Sequence, residues 1–128
     1  MPENEPPTIA KWNLALRFLL EVAGVVATGA WGWQLVDSWA RWPLAFGLPT
    51  ALMTAWATFN VRNDPSRSGK APVPVPGVIR LLLELATLGF GAYAAATTWS
   101  IWAGAIFGAL VVFQYATSWK RVVWLVCQ

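Results

Sequence analysis

The chain has 128 residues, enough for one domain. It is 57% hydrophobic and only 12% charged, against about 25% charged in a typical soluble domain, so its natural solvent is lipid. There is no His and a single Cys, Cys127, which excludes an intrachain disulfide, Ser-His-Asp and Cys-His catalysis, and the usual His or clustered-Cys metal and haem sites. No cofactor is expected, and a net charge of +3 is too mild to signal nucleic acid.

The first element is a tail. Residues 1–13 are acidic and Pro-rich, and they lack the basic start of a secretory signal. They read as a disordered segment ahead of a retained helix. Four apolar segments follow, over about 14–36, 42–60, 78–99 and 101–119, each near the roughly 20 residues that cross a bilayer. The expected fold is an all-α integral membrane protein with four transmembrane helices, arranged as two helical hairpins. The hairpins cover 14–60 and 78–119, joined by a polar, irregular loop over 61–77. Residues 120–128 read as a short end.

Lys11, Arg62, Arg67, Lys70, Lys120 and Arg121 fall in the tail, the middle loop and the C-terminal end, while the two short links carry only Arg41. The positive-inside rule then places both termini and the middle loop in the cytoplasm of a multi-pass protein of a bacterial inner membrane. Trp12, Trp33, Trp39, Trp42, Trp99, Trp102, Trp119 and Trp124 lie near the segment ends, as expected of interface anchors.

Two charge pairs interrupt the apolar segments. Arg17 and Glu21 recur as Arg80 and Glu84, at an offset of 63 residues. The same shift superposes Ala23, Trp39, Ala40, Thr54 and Trp56 on Ala86, Trp102, Ala103, Thr117 and Trp119. Each repeat holds two spans, so both enter from the same side, as a parallel repeat. On a helix, Arg17 and Glu21 continue into Gly24, Thr28 and Gly32, and Arg80 and Glu84 into Thr87, Gly91 and Ala95. Small residues allow close approach in membranes, so helices one and three should pack through these faces. Ionisable groups in hydrocarbon are costly. The expected arrangement is a mixed, neutral network of Arg17, Glu21, Arg80 and Glu84, in which each Arg can pair with the Glu four residues on in its own helix or reach across the pseudo-two-fold axis, Arg17 to Glu84 and Arg80 to Glu21.

Thr28, Thr50, Thr54, Thr87, Gln114 and Tyr115 are candidates to line a polar cavity, although such groups commonly bond to their own backbone or across helices. Pro49 should kink the second helix. Gly104 and Gly108 form a GxxxG pair, suited to dimerisation or to packing within the chain. The segment SRSGKAP lacks the first Gly of a phosphate-binding loop. Cys127 reads as an ordinary thiol, with palmitoylation the alternative.

LALRFLLE with GAWGW, TAWATF, and VPGVIRLLLEL resemble the YrdB-like (DUF2568) family of small bacterial membrane proteins, over about residues 13–119. The resemblance implies four membrane helices and no particular activity. The second repeat carries Ala94, Ala95 and Ala96 where the first has Trp-Gly-Trp, so the halves differ at their outer ends.

The expected role is non-enzymatic: a packing, accessory or oligomerising module in the lipid bilayer, partnered by itself or by a larger membrane complex. The alternative is an oligomeric small transporter or channel with proton or cation sites at Glu21 and Glu84.

Overall fold

The computed structural model describes residues 7–65 and 71–128. Arg67, Lys70, most of SRSGKAP and the first six residues of the tail lie outside that range. The described chain is helical apart from two very short strands: α1 (Lys11–Gln34), α2 (Arg41–Thr58), β1 (Phe59–Asn60), β2 (Val73–Pro74), α3 (Gly77–Thr98), α4 (Ile101–Thr117) and α5 (Trp119–Val126).

Helices α1 and α3 are long and apolar enough to cross a membrane. At a rise of about 1.5 Å per residue they reach roughly 36 and 33 Å, against a hydrocarbon core of about 30 Å. A third candidate is the pair α4 and α5, provided the two count as one broken span. Helix α2 is diluted by Arg41, two prolines and three threonines. The chain thus has the apolar helices of a membrane protein.

Helices α1 and α3 pack on one another at the centre, with α2 against α1 and α4 against α3. The buried residues of α1 include Arg17, Gly24, Thr28 and Gly32, and those of α3 include Arg80, Glu84, Gly91 and Ala95. These are the small-residue faces expected from the sequence, except that Glu21 and Thr87 are only half-buried. A Cβ on Gly91 would lie 3.1 Å from the Gly24 Cα, so the close crossing depends on Gly91, whereas a Cβ on Gly24 would make only an ordinary contact with Phe107 at 3.5 Å. The α1–α2 contact is also close. A Cβ on Gly29 would meet the Ala45 carbonyl oxygen at 2.9 Å. That carbonyl has lost its helical donor, because Pro49 lacks an N–H.

The GxxxG glycines of α4 serve different surroundings. A Cβ on Gly104 would run into Ala96 and the Ala92 carbonyl of α3, whereas one on Gly108 would meet nothing within 4 Å.

The end of the chain departs from the expected layout. Residues 119–126 form a helix, turned by 74° from α4. The turn has a local cause. The Ser118 hydroxyl donates to the Gln114 carbonyl at 2.8 Å, and Thr117 donates to Phe113 at 2.9 Å. Such back-bonding competes with the helix ladder and bends it. Helix α5 then lies over the start of α3, where a Cβ on Gly77 would collide with the Leu125 carbonyl.

The middle loop is tied at both ends. β1 and β2 pair in parallel, with Phe59 opposite Val73 and Asn60 opposite Pro74. Asn63 adopts φ 68°, a left-handed conformation that Asn tolerates better than most residues. The turn ends on Asp64, which is almost fully buried.

Candidate functional site

Glu84 is the centre of the charged cluster, on the inward face of α3 with no exposure. One turn earlier, Arg80 donates from Nε to Glu84 Oε2 at 2.8 Å. From α5, Arg121 donates from Nη1 to Oε1 at 3.0 Å and from Nη2 to Oε2 at 2.7 Å. Tyr115 of α4 donates its hydroxyl to Oε1 at 2.7 Å. Arg17 of α1 brings Nη2 to 2.8 Å from Oε2 as an ion pair without hydrogen-bond alignment. Four helices therefore converge on one carboxylate.

Of the expected pairings, both within-helix pairs form, and one of the two across the axis. Arg17 does reach Glu84. Arg80 turns to Glu84 of its own helix and donates from Nη1 to the carbonyls of Trp56 and Phe59, at 2.7 and 2.8 Å. Those carbonyls are at the C-terminal end of α2, where helical partners run out and a cation is favoured. Glu21 pairs with Arg17 Nε at 3.4 Å and keeps 21% of its side chain exposed. The two glutamates are therefore not equivalent.

Two members of the cluster were not expected. Arg121 reads in the sequence as one more basic residue of the C-terminal end, and Asp64 as part of a polar loop. In the fold, Arg121 donates from Nε and Nη2 to the two Asp64 oxygens at 2.8 and 2.6 Å. Burial alone would lower the Arg121 pKa, but its hydrogen bonds to Asp64 and the charge of Glu84 outweigh it and raise the pKa. Both residues left a sequence signal. Asp64 is the lone acid of residues 61–77, and Arg121, Val122, Trp124 and Leu125 recur with helical spacing.

Counted formally, Arg17, Arg80 and Arg121 face Glu21, Glu84 and Asp64, so the cluster is neutral. Trp56 insulates it, with the Arg80 guanidinium 4.6 Å and that of Arg17 5.4 Å from its ring centroid. A second polar pair lies beside it. Gln114 donates to Asn13 at 2.7 Å, and Asn13 donates to Thr117 at 2.6 Å, joining the start of α1 to the end of α4.

The remaining candidates separate by role. Tyr115 and Gln114 belong to these networks. Thr28, Thr50 and Thr54 donate to carbonyls one turn back in their own helices, at 2.7, 2.6 and 2.8 Å. Thr87 lines a cavity. Trp12, Trp39, Trp42, Trp99, Trp102 and Trp119 present exposed rings, as anchors would. Trp33 stacks edge-on with Trp42 and under Arg41. Trp124 is the correction. It is buried with Val61 and Leu125, because the fold-back of α5 turns that face toward the core.

The cavity lies between α1, α2 and α3, is partly open, and has a volume of about 370 Å³. Its walls include Phe18, Val22, Val25, Leu52, Met53 and Leu88. Glu21 is the one charged residue that lines it, and Trp56 forms part of its inner wall. The Trp56 indole Nε1–H is buried without a hydrogen-bond partner.

Comparisons with known proteins agree with one another. The family described as "Protein of unknown function (DUF2568)" matches residues 15–112. The "Uncharacterized protein YrdB" of Bacillus subtilis (strain 168) is 34% identical over 116 residues, covering 91% of this chain and 94% of the relative. No solved structure matches. The family match covers most of α1, all of α2 and α3 and most of α4, and includes Arg17, Arg80 and Glu84 but neither Tyr115 nor Arg121: the chain belongs to the DUF2568 family.

Proposed function

We propose that this protein is a non-enzymatic assembly module of a bacterial inner membrane, with α1 to α4 as four spans and both termini in the cytoplasm. The halves α1–α2 and α3–α4 form a parallel repeat, and α5 lies along the cytoplasmic surface as an amphipathic lid. The single observation that carries the reading is the state of Glu84. Arg80, Arg121 and Tyr115 donate to its two oxygens, and Arg17 stands against it as an ion pair. A carboxylate so engaged works as a tie between helices rather than as a group that exchanges protons or ions. Buried polar groups of this kind are best attested as devices that set register and partner choice. The broad apolar faces left outside, including Ile106, Val112 and Phe113 of α4, are then available to lipid and to other subunits.

The test is native mass spectrometry of the protein released gently from its own membrane. The expected result is a fixed stoichiometry with further copies or with other membrane subunits. A bare monomer would overturn the assembly reading.

The second reading is transport, and it narrows to Glu21. This carboxylate lines the cavity, whereas Glu84 is enclosed. Transport predicts proton release when a cationic substrate is added to purified protein. No release from pH 6 to 9, over a broad panel of cations, would remove it.

A further inference from the structure

We propose that the cavity between α1, α2 and α3 is a binding site for an amphiphilic monocation, a molecule with an apolar body and one ammonium group. The site would sharpen the transport reading, but it stands whether or not the ligand crosses the membrane.

The walls select the body. Phe18, Val22, Val25, Leu52, Met53 and Leu88 supply hydrocarbon and one aromatic ring. The volume of about 370 Å³ is within the range of small-molecule sites. The charge selects the head. Glu21 is the one ionisable side chain on the wall, and it is anionic when charged. With most of its side chain shielded from water, Glu21 attracts an ammonium more strongly than it would in bulk water, and Arg17 offsets part of that pull. An anionic amphiphile would meet the same carboxylate with repulsion.

The existing pairing of Glu21 is compatible with a ligand. Arg17 holds Glu21 at 3.4 Å but Glu84 at 2.8 Å. An incoming ammonium can share Glu21 while Arg17 keeps its shorter contact.

The experiment is equilibrium dialysis of the whole protein in lipid nanodiscs, with empty nanodiscs as the blank. The probes are dodecylammonium, dodecanol and dodecanoate. Saturable binding of the ammonium at one per chain is expected, at least about tenfold tighter than either other probe, as one charge-assisted contact provides. Glu21→Gln should erase that preference and leave dodecanol unchanged. Val25→Trp, which fills the cavity, should weaken all three. Equal binding of the three probes to the unaltered protein would overturn the proposal without any variant. So would an ammonium preference that survives Glu21→Gln. Subunit stoichiometry is read separately, so failure here leaves the assembly reading untouched, and the converse holds.

Discussion

Arg121 of the last helix and Glu84 of the third form a two-pronged bond, with Nη1 to Oε1 at 3.0 Å and Nη2 to Oε2 at 2.7 Å, both side chains fully buried. The contact spans 37 positions in the chain and fastens the terminal helix onto α3. The bend between α4 and α5 is what brings Arg121 to α3.

Glu84 holds three guanidinium groups, so its loss should be severe. Glu84→Gln leaves an excess of positive charge in a buried site, and breaking a buried ion pair typically costs about 3–5 kcal/mol. The expected outcome is loss of assembly, or a large fall in unfolding free energy in mixed micelles. Glu21→Gln should cost much less, because that side chain is partly exposed. Equal effects would show the two glutamates to be equivalent.

Tyr115→Phe removes one hydroxyl that donates to Glu84 and little else. A hydrogen bond to a charged group contributes about 1.5–3 kcal/mol. The variant should keep its helicity by circular dichroism and lose stability within that range. No loss would mean that the arginines satisfy Oε1 unaided.

Arg121→Lys should not substitute. A lysine ammonium cannot present the fork that spans Asp64 and Glu84. Hydrogen exchange should rise in α5 and around Asp64 together, since one side chain fastens both. A double-mutant cycle with Asp64→Asn should return a coupling of about 0.5–3 kcal/mol. Faster exchange confined to α5 would argue that the loop is held independently.

Gly104 and Gly108 separate packing from propensity. Gly104→Ala forces a methyl against Ala96 and the Ala92 carbonyl, and overpacking of this kind costs about 1–3 kcal/mol. Gly108→Ala meets open space and should be neutral, or gain up to about 1 kcal/mol of helix propensity. Thermal unfolding of the two variants in one detergent gives the comparison. A destabilised Gly108→Ala would indicate that another subunit covers that face.

The local and periodic features of the fold were legible in the sequence. Runs of apolar residues set where the helices lie, because backbone groups in lipid must be satisfied within the segment. The spacing of Arg17, Gly24, Thr28 and Gly32, and of Arg80, Glu84, Gly91 and Ala95, gave the buried faces of α1 and α3, since helical geometry alone puts those positions on one side. The charge pairs were visible because ions stand out against hydrocarbon. The tertiary structure decided what each charge does. The 63-residue repeat treats Glu21 and Glu84 as equals, yet one lines a cavity and the other receives three arginines. Arg121 and Asp64 look like solvated charges until the bend at Ser118 and the left-handed turn at Asn63 bring them together. Periodicity records which face of a helix is inward. It carries no record of which distant side chain will be waiting there, because that depends on bends and crossings set by contacts between segments far apart in the chain.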